Sequence, residues 1–174
     1  MRFEARLLKK ADALLTNSLL DRIFKEMDQS LGSPASFEVM GGTAMVLLGI
    51  KNTTRDIDLV SELPEGCAKA LPSLEETFRL QKGWINEDLN RFETIRDPQV
   101  LWEGNNLRVL GPGPEELFVT KASITRRDKD LDDVLAIVKH QGWSYEEAEN
   151  LYRTHWDQPL PQAVYYHLLY GLAA

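Results

Sequence analysis

Residues 37–59 read Phe37-Glu38-Val39-Met40-Gly41-Gly42-Thr43-Ala44-Met45-Val46-Leu47-Leu48-Gly49-Ile50-Lys51-Asn52-Thr53-Thr54-Arg55-Asp56-Ile57-Asp58-Leu59, and the order of residue types there decides how the chain is read. Phe37 to Met40 suits a short strand closed by Gly41-Gly42, and Thr43 to Ile50 is an apolar run suited to a buried helix that ends near Gly49. Asp56 to Val60 alternates polar and apolar residues, the two-residue period of a strand. In such a strand Asp56 and Asp58 project to one face, while Ile57 and Leu59 project to the other, into a core.

Two carboxylates side by side repel each other unless a cation sits between them. Their hard oxygens favour Mg²⁺ (or Mn²⁺), and Mg²⁺ keeps several waters and completes its shell with substrate phosphates. Gly41 and Gly42 leave the backbone bare at the point where a strand feeds a helix, so phosphate oxygens can approach free N–H groups and a positive dipole end. Thr43 adds a hydroxyl. An anion site beside a cation site is what a nucleoside triphosphate (NTP) with its metal needs. Taken singly, the Gly-Gly pair also reads as a plain turn and the Asp-x-Asp pair as a solvated strand face. Their order and spacing together point to chemistry.

Working outward, Leu7, Leu8, Ala11, Leu14, Leu15, Leu19, Ile23, Phe24 and Met27 recur at steps of three and four, which predicts helix over residues 3–29. Asn17 and Ser18 are a place where it can split, with Ser18 and Asp21 as a capping box. Glu65 to Glu76 reads as helix, and Phe92 to Ile95 and Val100 to Glu103 as strands. Gly104-Asn105-Asn106 supplies turn chemistry for a hairpin into a strand over Leu107 to Leu110. Gly111-Pro112-Gly113-Pro114 precedes a helix to about Thr125, with Pro114 in its first turn. Helices follow over Leu131 to His140, stopped by Gly142, then from the capping box at Ser144 to about His155, and over residues 162–172. The expected fold class is α+β, a small mixed sheet flanked by N-terminal and C-terminal helices.

At 174 residues and 43% hydrophobic, the chain suits one domain over residues 1–174, with its core at about 34–140 and a helical part at about 143–174. No apolar run approaches about 18 residues, so neither a membrane span nor a membrane partner is expected. Met1-Arg2-Phe3-Glu4 opens no signal peptide, which makes the cytoplasm the expected address. The single cysteine, Cys67, excludes an internal disulfide and a cysteine-rich zinc site. A net charge of −7 argues against broad binding to DNA or other nucleic acid, which needs a wide basic face. It leaves room for a local patch at Lys121, Arg126, Arg127 and Lys129. His140, His155 and His167 lack metal-ligand spacing, and the stripe Val164, Tyr165, Leu168, Leu169 and Leu172 reads as core or a dimer seam.

Met40-Gly41-Gly42, thirteen intervening residues, and Asp56-Ile57-Asp58-Leu59 resemble the glycine-pair and Asp-x-Asp motif of the polymerase-beta-like minimal nucleotidyltransferases. Glu116-Leu117-Phe118-Val119-Thr120-Lys121-Ala122, followed by Arg126-Arg127-Asp128-Lys129-Asp130-Leu131-Asp132-Asp133-Val134, resembles the C-terminal motif of their AbiEii-type branch. There, a lysine on a helix precedes a basic-Asp-x-x-Asp cluster. Thr54 fits the small hydroxyl residue carried before the first aspartate.

The resemblance implies a nucleotidyltransferase core in which Asp56 and Asp58 bind Mg²⁺ and Gly41, Gly42, Thr43 and Thr54 cradle the nucleotide. It further implies that Lys121 contacts phosphates and that Asp130 is a further catalytic carboxylate, with Asp133 next in line. The implied activity moves a nucleoside monophosphate from an NTP to a tRNA or protein acceptor. The implied setting is the toxin of a toxin–antitoxin pair, with a cognate antitoxin as partner. From the residues alone, Lys121 also reads as a surface lysine, and Asp130 and Asp133 as acids that stabilise a helix start. The chain departs from the superfamily pattern in one place. Leu107 to Leu110 carries Arg108 but no third acid, which leaves Asp88, Glu93 and Glu103 as substitutes. Two alternatives stand beside the enzyme: a non-catalytic nucleotide-binding or antitoxin-like protein with the same fold, and a plain protein-interaction module.

Overall fold

Leu15 and Thr16 do not continue a helix from the N-terminal side. They form β1 (Leu15–Thr16), and the Thr16 hydroxyl accepts from the Leu19 backbone N–H to cap α1 (Asn17–Gln29). The cap is therefore Thr16 rather than Ser18. The computed structural model describes residues 14–87, 94–125 and 128–173. Readings that fall on residues 3–13, Asp88, Phe92, Glu93, Arg126 and Arg127 lie outside them.

The central stretch follows its expected order: β2 (Ala35–Met40), α2 (Gly41–Leu47), then β3 (Thr53–Thr54) and β4 (Ile57–Leu59). The chain continues through α3 (Glu65–Phe78), β5 (Ile85–Asn86), β6 (Gln99–Glu103) and β7 (Leu107–Gly111). It ends in α4 (Pro114–Ser123), α5 (Asp128–Gln141), α6 (Tyr145–Trp156) and α7 (Gln162–Ala173). Seven helices and a small mixed sheet among the described residues make the fold α+β. Two elements differ from expectation. Thr94 and Ile95 are not in a strand, and β5 gives no sequence signal because two residues cannot display a period.

The main sheet has the order β5-β4-β2-β7-β6, with β2 parallel to β7, antiparallel to β4, and β6–β7 as the expected hairpin. β1 and β3 pair separately. Phe37, Val39, Ile57, Leu59, Leu107 and Val109 point to one face and bury against α1 and α3. Ser36, Glu38, Asp58 and Arg108 alternate to the other face, where none is fully buried. A second core joins α4, α5, α6 and α7 to α2 through Ala44 and Met45, with Met40 and Val60 contributing from the sheet. One face of the sheet is thus apolar and covered, while the other packs through Met40 on the second core and elsewhere carries polar groups. No helix among the described residues is long and apolar enough to cross a membrane.

Asp28 ties α1 to the hairpin. Its carboxylate, 6% exposed, accepts from the backbone N–H groups of Asn106 (2.7 Å), Leu107 (2.7 Å) and Asn105 (3.2 Å). Gly104 is required beside it, because a Cβ there would stand 2.6 Å from the Asp28 carboxyl carbon. The Asn106 N–H holds the Asp28 carboxyl below its usual range against the opposing effect of burial, helped by Leu107 and Asn105. Asp28→Ala strands three backbone donors and is expected to lower stability by about 2–4 kcal/mol in chemical denaturation. The native carboxyl titrates lower than the unfolded one. Its contribution is therefore fully present above about pH 4 and is lost as pH falls through the lowered native value, so the wild-type and Asp28→Ala stabilities should converge in acid.

Candidate active site

The antiparallel register sets Met40 opposite Asp58, so Asp58 stands beside the point where the chain leaves β2 for α2. Gly41 turns that corner at φ +60°, and a Cβ there would lie 2.6 Å from the Asp58 Oδ2. Both the backbone conformation and the neighbouring carboxylate therefore demand glycine. A Cβ on Gly42 would overlap the Thr54 hydroxyl. The close approach of Asp58 and Thr54 thus leaves no room for a side chain at either glycine.

Thr43 departs from expectation. It is fully buried, and its hydroxyl donates to the Asp56 carbonyl at 2.9 Å, so it is not open to a ligand. Thr54, 8% exposed, sends its hydroxyl to the same carbonyl at 3.3 Å. The two threonine hydroxyls fasten the backbone of Asp56.

Ile57 and Leu59 are fully buried, while Asp58 is half-buried on the opposite face, as the alternation requires. Asp56 lies one residue before β4 rather than within it. Burial, then the Asp56 charge, push the Asp58 carboxyl above its ordinary range, and three groups pull it back: the Asn86 amide, Lys121 and Lys129. Asn86 donates its side-chain N–H to Asp58 Oδ1 at 3.0 Å. Its strand, β5, runs parallel to β4 with Asn86 opposite Asp58. Sequence reasoning missed Asn86 because nothing in a two-residue strand marks its register.

Lys121, in the last turn of α4, donates to Asp133 Oδ2 at 2.9 Å, and Lys51, from the segment after α2, donates to Asp133 Oδ1 at 2.5 Å. Burial pushes the Asp133 carboxyl up, but the two lysines overcome it and the net shift is downward. Asp133 is thus the common partner of two ammonium groups. Asp130 lies one helical turn earlier in α5, half-buried on the same side of the helix. Lys129, first read as part of a patch with Arg126 and Arg127, directs its charge to Asp58. Of the acids considered as a third carboxylate, Glu103 lies on β6 at the far edge of the sheet, paired with Arg108 at 2.7 Å.

Among the described residues no group of three or more His, Cys, Asp or Glu could hold a metal ion. The Asp56 and Asp58 pair nonetheless fits a hard divalent ion that takes its remaining ligands from water and phosphate. Its donors are carboxylate oxygens in a half-buried place, and the Asp56 charge raises the cost of ionising Asp58. Asp56 also borders an open cleft lined by Leu71, Glu75, Trp84, Ile85, Asn86 and Glu87.

Two substitutions test this arrangement. Gly41→Ala should lower stability by at least about 1–2 kcal/mol from the left-handed backbone alone, read as a fall in the thermal unfolding midpoint. Asp133→Ala leaves two partly buried ammonium groups without their carboxylate and should cost roughly 3 kcal/mol in the same measurement.

No curated protein and no solved structure matches the chain in comparison. A family model does match, over residues 18–157, and its description is "nucleotidyltransferase of unknown function (DUF6036)". That span runs from the first turn of α1 to the end of α6 and takes in every residue of the site described above. The chain therefore belongs to this family of nucleotidyltransferases of unknown function.

Proposed function

We propose that this protein transfers a nucleoside monophosphate from an NTP to an acceptor, with Mg²⁺ (or Mn²⁺) held by Asp56 and Asp58. One observation carries the reading: Asp58 stands against the Gly41 turn, held by the Asn86 amide, where burial and the Asp56 charge raise its carboxyl and Lys121 and Lys129 lower it. Such a gap between acids and ammonium groups suits a metal-bound triphosphate. Family membership supports the reaction class.

In this reading Asn86 fixes the rotamer of Asp58, and the Thr43 and Thr54 hydroxyls hold the backbone of Asp56, so both carboxylates are set before substrate arrives. Lys121 faces the phosphate oxygens as a point charge, and Lys129 adds a second cation nearby. Asp130 is the further catalytic carboxylate, carried on the helix that also holds Asp133. A divalent ion bound to the acid pair would supply neutralisation of charge on the transferred phosphoryl group. The acceptor hydroxyl oxygen bonds to the α-phosphorus as the bond to the leaving pyrophosphate breaks. Positioning and electrostatics account for the acceleration, because phosphoryl transfer needs little covalent help from protein. The resemblance to AbiEii-type proteins supports a tRNA or protein acceptor, and a toxin role countered by a cognate antitoxin.

Purified protein incubated with each labelled NTP, Mg²⁺, total tRNA and cell protein tests this directly. Label should appear on an acceptor, and Asp58→Asn should reduce transfer at least about 100-fold while the protein remains folded. Metal-dependent NTP binding without transfer to either acceptor class would favour the non-catalytic alternative. Transfer that is unchanged in Asp58→Asn would sink the assignment.

A further inference from the structure

Lys121 and Asp133 alone would form a neutral pair, and a neutral pair offers a triphosphate little. The structure adds Lys51, which belongs to neither the glycine pair, the Asp-x-Asp pair nor the C-terminal motif. Its ammonium reaches the second oxygen of the Asp133 carboxylate at 2.5 Å, while Lys121 holds the first at 2.9 Å. The Asp133 side chain is 4% exposed, and the lysine side chains are 24% and 13% exposed. Three elements distant in sequence converge here: the segment after α2, the last turn of α4 and the first half of α5.

We infer that Lys51 and Asp133 form a partly buried clamp that positions the Lys121 ammonium and leaves the cluster with one excess positive charge for the polyphosphate of a nucleotide. The inference rests on the nucleotide-transfer reading and adds to it two positioning residues. Asp133 then serves the two ammonium groups, one on each carboxylate oxygen. Lys51 works through Asp133. By satisfying half of the carboxylate it prevents Lys121 from being cancelled, and in the low-dielectric setting a single uncompensated charge acts strongly on an incoming phosphate. The same bridge fixes α4 against α5, so the ammonium is held in one place rather than sampling the rotamers of a free lysine.

Lys51→Met is the informative variant, because Asp133 keeps Lys121 and no buried charge is stranded. Binding of a non-hydrolysable NTP analogue with Mg²⁺ would be measured by calorimetry, with thermal unfolding of each variant alongside. Lys51→Met is expected to weaken binding about tenfold, and Lys51→Arg to stay within about twofold of the wild type. Adding Asp133→Asn to Lys51→Met removes the cancelling charge but leaves Lys121 unheld, so it should recover part of the lost affinity and not all of it, with the Mg²⁺ requirement unchanged. A purely structural role would lower the unfolding midpoint without this recovery. Wild-type affinity in Lys51→Met overturns the clamp, and so does further weakening, or an altered Mg²⁺ requirement, in the double variant. A wild type that binds no nucleotide overturns the transferase reading itself and takes the clamp with it. Nucleotide binding by the wild type that is indifferent to Lys51 removes the clamp alone.

Discussion

The contact between Asp58 and Gly41 constrains the rest of the site. A carboxylate can lie against the start of α2 only because Gly41 has no side chain and tolerates φ +60°. The antiparallel register of β2 and β4 then sets Asp58 opposite Met40, and the pleat sends Ile57 and Leu59 into the α1–α3 core. Burying those two apolar residues holds the acid in place, since a one-residue slip would exchange core and open faces.

Charge is arranged around that contact in two groups. Asp56 and Asp58 form the negative group, half-buried, with the Asp56 charge raising the Asp58 carboxyl. Lys51, Lys121 and Asp133 form a group of net positive sign on the helical side. Lys121 belongs to both descriptions, because it holds Asp133 and acts on Asp58. The two faces of the sheet differ: α1 and α3 cover one, while on the other Met40 enters the second core and Ser36, Glu38, Asp58 and Arg108 stay partly or fully exposed.

The Asp28 anchor and the candidate site occupy opposite ends of β2. At its start, Ala35 donates to the Asn106 carbonyl, and Asp28 anchors the adjoining turn through three backbone N–H groups. At its end, Met40 hands the chain to Gly41 and the acid pair. Six residues of strand separate the two, so the anchoring carboxylate of Asp28 is kept apart from the carboxylates of the site.

Features governed by neighbours in sequence were legible without coordinates. The strand–glycine–helix order, the inward Ile57 and Leu59, the β6–β7 hairpin, Pro114 at the start of α4 and the Ser144 capping box all follow from local sterics and hydrogen bonding. The α+β class follows from the same patterns. Thr16 as the cap of α1, the two-residue β5 and the inward hydroxyl of Thr43 were not legible, because each is decided by what packs against it. The partners of the site were beyond reach for the same reason. Asn86 meets Asp58 across 28 positions, and Lys51 meets Asp133 across 82. The sequence by itself determined which acids and glycines stand together on one short stretch of chain. Only the tertiary structure decided which distant cations and amides would answer them, because charge acts through space and not along the backbone.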